Sequence, residues 1–259
     1  MEIRAKEIRR KVLEMIYKAQ TSHIGSNFSC VDIMTVLYGR ILNIDQDLKP
    51  DRDRFILSKG WAAATLYVLL AEKGIIPKED LDTYCQEGSP YIGLVEKTVR
   101  GVEASTGSMG HGLPIGVGMA LAAKQKGKKW RTYVLMSDGE LNCGTTWESA
   151  LIAAQHKLEN LIVIVDRNGL QAMGETKEIL KSNFEAFKEW NFISIPGHRY
   201  DAIEDAFNET QSNRMERRPT IIDARTTKGK GVSFMEDNNI WHYKNIDKES
   251  YEKAMIELS

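Results

Sequence analysis

The sequence predicts an α/β domain: a doubly wound, mostly parallel sheet with helices on both faces. Three observations predict it. The runs Thr132–Met136 and Leu161–Val165 are almost continuously apolar, which suits strands covered on both sides. Helical stretches alternate with such runs, the order that parallel sheets require. At 259 residues the chain is long enough for one substantial core and short for two, so residues 1–259 read as one domain.

Taken in order, the N-terminus reads as an amphipathic helix, with Ile8, Val12, Met15, Ile16 and Ala19 at helical spacing. A break is expected at Thr21–Ser29. A second helix opens at Ser29 with Asp32 as its capping-box acid and runs through Ile33, Val36, Leu37 and Ile41. Arg54–Ser58 looks like a short buried strand, and Trp61–Lys73 a helix that ends at Gly74. A polar stretch covers about 78 to 104, and the glycine-dense Ser105–Ala120 leads into a helix of small residues. Thr132–Met136 stops at Ser137-Asp-Gly139; Thr145 and Glu148 cap a helix through Ala154; Leu161–Val165 ends in Asp166. A helix at about 200 to 212 and a strand at Thr220–Ala224 follow.

Bulk composition narrows the function classes. Hydrophobic residues are 42% and charged residues 27%, ordinary for a globular protein and against disorder. A formal net charge of −1 gives no field that would draw the chain to nucleic acid or an anionic membrane. No stretch approaches the ~20 apolar residues that span a bilayer, and the first ten residues lack the apolar core of a signal peptide. Three scattered cysteines (Cys30, Cys85, Cys143) suit a reducing cytoplasm and form neither a zinc pattern nor a disulfide framework.

The chemistry concentrates where two strands end. In doubly wound sheets, ligands gather at the carboxyl ends of the strands. One apolar run ends in Asp138-Gly139, the next in Asp166-Arg-Asn168-Gly-Leu170, about one strand–helix–strand unit apart. A carboxylate, an amide oxygen and a backbone carbonyl are three hard-oxygen ligands; magnesium prefers six, so a diphosphate and water would complete the shell. Gly139 would let the backbone approach that phosphate.

At this point the sequence resembles the transketolase family. Ser137-Asp-Gly-Glu-Leu-Asn-Cys-Gly144 through Asp166-Arg-Asn168 resembles its thiamine-diphosphate motif. Four further blocks resemble transketolase segments in the same order: Ser22-His-Ile-Gly25, Asp53-Arg-Phe-Ile-Leu-Ser-Lys-Gly60, Ser105-Thr-Gly-Ser-Met-Gly-His-Gly112, and Lys228–Met235 with Trp241-His242. The resemblance covers most of residues 5 to 243. It implies a diphosphate-binding half of a thiamine-diphosphate enzyme, with magnesium as the metal and calcium or manganese as substitutes.

Carried over residue by residue, Asp138, Asn168 and the Leu170 carbonyl would hold the metal. Gly139, Asn168 and His242 would contact the diphosphate, with Trp61 standing where the family has another diphosphate-side histidine. Gly107 and Met109 would line the aminopyrimidine side. His23, His242 and His111 are the candidate catalytic groups, an imidazole suiting proton transfer near neutral pH. His111, at a position where the family shows glutamine, is either substrate-facing or structural. Lys228 and Lys230 read as a solvated loop rather than a phosphate grip, and His198 as a structural turn residue. The second domain of transketolases, which carries the activating glutamate, has no room before Ser259. The resemblance therefore implies a partner, a C-terminal transketolase-like subunit in an α2β2 assembly acting on sugars in the cytoplasm. Departures cluster around the site: Trp61 for histidine, Cys143 for glutamate, Ser137 for glycine, Ile24 for proline, Tyr243 for glycine. They leave three readings: two-carbon ketol transfer between sugars, a deoxyxylulose-phosphate-synthase-like condensation on an unusual sugar, or a non-catalytic assembly subunit.

Overall fold

The structure, a computed structural model, describes residues 1–176, 189–212 and 216–259. Its centre is a five-stranded sheet of β1 (Arg54–Leu57), β2 (Thr132–Ser137), β3 (Leu161–Arg167), β6 (Asn191–Pro196) and β7 (Thr220–Arg225), in the order β1-β2-β3-β7-β6. Every pairing in it is parallel. A two-stranded antiparallel hairpin, β4 (Leu170–Gln171) and β5 (Gly174–Glu175), follows β3. The apolar runs are strands for the reason their composition suggests: alternate side chains enter two different cores. Tyr133, Leu135, Ile162, Ile164 and Ile222 point into one, and Val134, Met136, Val163, Val165 and Ile221 into the other. Fully burying one such aliphatic side chain contributes about 1.5–3 kcal/mol.

The first core is closed by α1 (Glu2–Ala19), α2 (Ile24–Val36), α3 (Ala63–Glu72) and α6 (Tyr200–Glu209). The second is closed by α4 (Gly112–Gln125) and α5 (Gly144–Gln155). The helices thus cover both faces of a parallel sheet, as predicted. A last helix, α7 (Lys248–Glu257), packs back on α1 through Tyr17 and Tyr251, whose rings stack at 4.1 Å.

Two helix starts differ from the sequence expectation. Helix α2 begins at Ile24, not Ser29, so Ser29 and Asp32 are interior residues and form no capping box. Their side chains serve tertiary contacts instead: Ser29 Oγ donates to Asp166 at 2.6 Å, and Asp32 accepts both Arg9 amino groups. Helix α5 starts at Gly144; the Thr145 hydroxyl does not cap it and donates to the Gly110 carbonyl. About two turns earlier, at the short helix Asp138–Asn142, the Glu140 carboxylate reaches back to accept from the Ser137 N–H, as the acid of a capping box does. Strand β6 and helix α7 are elements that the sequence pattern does not predict.

Candidate active site

Because β1, β2, β3 and β7 are neighbours in a parallel sheet, their carboxyl ends form one rim. A cleft of about 290 Å3 opens above it. Into this rim β1 delivers Ser58 and Lys59, β2 delivers Ser137–Gly139, β3 delivers Asp166–Asn168, and the segment after β7 delivers Lys228. Glu140 ties the rim together from below: its carboxylate accepts from Ser58 Oγ, Gly110 N and Ser137 N. Close backbone approach does the same on the far side. A Cβ on Gly60 would lie 2.2 Å from the Thr106 carbonyl oxygen, so only glycine lets the Thr106-Gly107 segment sit against the end of β1.

Beneath the cleft lies a fully buried ion pair, Lys59 with Asp166. Lys59 Nζ also donates to the Ser26 carbonyl at 2.9 Å, and Asp166 accepts from Ser29 and Thr226. Burial opposes charge on Asp166, but Lys59 and these donors outweigh it and hold the carboxyl below its ordinary value. Asp138 shows the opposite balance. Its oxygens accept from Gly139 N, Gly169 N (2.7 Å) and Thr176 Oγ1, yet burial and the Asp166 charge push it up to about 6. A buried carboxyl in that condition is short of positive charge.

Across the rim stand two imidazoles. His23 caps α2 with φ +72, a left-handed conformation uncommon for histidine. It is fixed there by its own N–H to the His242 carbonyl (3.0 Å) and by Ser22 Oγ at 2.8 Å from Nδ1. The His242 Nδ1 lies 2.6 Å from the Lys228 ammonium. Since an ammonium only donates, Nδ1 accepts and Nε2 carries the imidazole proton. Burial, then Lys228 and Lys59, lower His23 to about 4; burial, Lys228 and His23 lower His242 to about 3. Both rings are neutral at physiological pH. Lys228 is itself lowered to about 8 by burial and by Lys59.

The structure brings together His23, Trp61, Gly107, Met109, Asp138, Gly139, Asn168, Leu170 and His242, all of which line the cleft. It leaves His111 outside: the ring is exposed, its Nδ1 is 2.9 Å from the Met109 carbonyl, and it does not line the cleft. Lys228 overturns its reading as solvated loop, for it is 0% exposed and meets His242 and the Leu170 carbonyl (3.4 Å). Lys230 does sit at the surface, paired with Glu236. His198 bridges Asp32 and the Thr227 amide, away from the cleft. Sequence reasoning missed Lys59 and Asp166 as site groups. Their signal was position: a lysine and an aspartate at the carboxyl ends of two buried strands.

Among the described residues, no three His, Cys, Asp or Glu side chains gather as a metal cluster. Any cation on the rim would instead use Asp138, Asn168 Oδ1 and the Leu170 carbonyl, an all-oxygen set suited to a hard divalent ion that takes its remaining ligands from elsewhere. No described helix is long and apolar enough to cross a membrane.

Residues 2–257 match the family model described as transketolase, thiamine diphosphate binding domain. The chain is 42% identical to a protein from Actinobacillus succinogenes named as one of the subunits of an apulose-4-phosphate transketolase, across 100% of this chain and 95% of that one. It is 36% identical to a 6-deoxy-6-sulfo-D-fructose transketolase subunit from a Clostridium species, over 100% and 96% of the two chains. Among solved structures, transketolase from Campylobacter jejuni superposes with a TM-score of 0.91 at 30% identity. That match covers 99% of this chain and 42% of the Campylobacter chain, so the chain spans about two fifths of that enzyme.

Proposed function

The chain belongs to the transketolase family, matching its thiamine-diphosphate-binding domain almost end to end, and from that premise we propose that it is one subunit of a two-component transketolase. In this reading the assembled enzyme moves a two-carbon ketol unit from a ketose to an aldose. The observation that carries it is the convergence on one cleft of an all-oxygen cation rim and two neutral imidazoles, with the buried ammonium of Lys228 directly behind His242.

The residues fit the cofactor. The raised Asp138 carboxyl is relieved by a divalent cation beside it, and Lys228 and that cation offset the charge of a diphosphate. Gly139, whose absent Cβ would reach only ordinary contact with Gln171 and Met109, leaves the backbone open to a phosphate. Asp138, Asn168 and the Leu170 carbonyl would hold magnesium, and Gly107 and Met109 would line the ring end. When bound, thiamine diphosphate supplies the nucleophilic carbon and the electron sink for cleaving a C–C bond beside a carbonyl. The chain's own part is positioning and proton handling. His242, with its proton on Nε2, donates to a substrate oxygen; neutral His23 takes or returns a proton at a substrate hydroxyl.

Exposed apolar side chains support a place for the partner. Leu94 and Met109 are exposed at the cleft, while α4 and α5 expose Ile115, Leu151 and Ile152. Such apolar exposure suits a protein interface, and a C-terminal subunit seated there would enclose the ring end of the cofactor and supply the activating glutamate in an α2β2 assembly. Relatives named as transketolase subunits for uncommon sugars support ketol transfer on such a sugar over condensation with pyruvate. The test is co-purification with the partner, followed by ketol-transfer assays across ketose donors and aldose acceptors. Magnesium- and thiamine-diphosphate-dependent product is expected; absence of product with every pair, or pyruvate consumption instead, would sink the proposal.

A further inference from the structure

One aromatic side chain in the cleft has no part in the chemistry above. Tyr243 follows His242 directly, at the end of the short turn Asn239–His242. Its ring stands edge-on to both imidazoles, with centroids 5.5 Å from His23 and 4.6 Å from His242; the imidazoles are 5.2 Å apart. The three rings form one continuous wall. Tyr243 lines the cleft yet is 61% exposed, so packing against the histidines holds it while much of the ring stays open. Among the described residues no protein group bonds its hydroxyl, and the Nε2 atoms of His23 and His242 are likewise free. Large aromatic groups placed in this way, one edge packed and the polar tip unsatisfied, are suited to ligands with both apolar and hydroxyl surface.

We infer that Tyr243 is a specificity-determining residue that binds the sugar substrate. Its phenol hydrogen-bonds a sugar hydroxyl, beside the two imidazole nitrogens, and its ring covers a C–H face of the same sugar. The wall presents hydrogen-bonding groups and an aromatic face, which match a polyhydroxylated chain, and the charged side chains that line the cleft, Lys59 and Asp138, stand at the rim. Tyr243 therefore acts on the sugar and leaves the cofactor to the rim. The inference rests on the ketol-transfer reading.

The test uses the assembled enzyme carrying Tyr243→Phe or Tyr243→Ala. Phenylalanine keeps the ring contacts with both histidines and removes only the hydroxyl. The expected result is a KM for the sugar raised about 3- to 10-fold, with kcat changed less than about twofold. Alanine, which also removes the ring, should raise KM further and narrow the discrimination between sugars. Two readouts separate this from a structural role: calorimetric affinity for thiamine diphosphate stays unchanged, and saturation-transfer NMR of the holo complex shows weakened sugar binding. A Tyr243→Phe enzyme with wild-type KM for every sugar would overturn the inference while leaving ketol transfer intact. A wild-type complex inactive on all sugars would sink the underlying reading, and this inference with it.

Discussion

Removing the ammonium of Lys59 tests the electrostatic foundation of the site. Lys59 and Asp166 are both fully buried and directly paired. In Lys59→Met the Asp166 carboxylate keeps Ser29 Oγ, Thr226 Oγ1 and a long contact from Asn168 Nδ2 (3.4 Å), all neutral donors. Breaking a buried pair from one side costs about 3–5 kcal/mol. The carboxyl can limit the damage by taking up a proton. At pH 7, about three units above the ordinary aspartate pKa, that uptake itself costs about 4 kcal/mol. The variant should therefore lose about 3–4 kcal/mol at pH 7. The sign of the pH effect follows from the two states. Wild-type Asp166 has a lowered pKa, so its contribution is present above about pH 4 and lost as pH falls. In the variant the folded-state pKa is raised, so the destabilisation shrinks by up to about 1.4 kcal/mol per unit as pH falls from 7 towards 5. Urea melts of wild type, Lys59→Met, Asp166→Asn and the double variant at pH 7 and 5 measure this directly. The double variant should cost less than the two single variants combined. A Lys59→Met loss under about 1 kcal/mol, or one independent of pH, would refute the reasoning.

Three other outcomes follow. Gly60→Ala places a Cβ 2.2 Å from the Thr106 carbonyl, a backbone clash expected to cost about 1–3 kcal/mol in a thermal melt and to weaken cofactor binding by displacing Gly107. At Asp32 burial would raise the carboxyl, but His198 and Arg9 outweigh it and hold the group well below the ordinary carboxylate range. Asp32→Asn should thus cost about 3 kcal/mol near pH 7 and progressively less below pH 4, flattening the acid limb of the stability curve. His23→Ala should lower kcat about 10²- to 10³-fold with cofactor affinity nearly unchanged; because His23 ionises near pH 4, kcat/KM of the wild type should show no acid limb from it between pH 5 and 8.

The sheet was legible because strands buried on both faces leave apolar runs that few other structures tolerate. The rim was legible for the same reason, since Asp138 and Asn168 stand where those runs stop. The start of α2 was not. Gly25, Ser26, Asn27 and Ser29 have the composition of a turn and cap, yet they lie inside a buried helix because small polar side chains there reach other elements. Asn27 bonds the Thr65 amide and the Trp61 carbonyl, and Ser29 reaches Asp166. Lys228 misled for a related reason: flanked by glycine and Lys230, it reads as a solvated loop, and only the fold shows the loop turned beneath His242. Strand β6 is a half-exposed edge with a weak apolar pattern, and its identity comes from pairing with β7. His111 shows the converse, a residue in a glycine-rich motif that is exposed and does not line the cleft.

The most direct test of the central claim is native mass spectrometry of the complex recovered on the tagged chain, with magnesium and thiamine diphosphate present. Wild type should carry a second polypeptide and one cofactor with one magnesium per chain pair, whereas Asp138→Ala should keep the polypeptide and lose the cofactor. A cofactor-free homo-oligomer from wild type, or full cofactor occupancy in Asp138→Ala, would contradict the account.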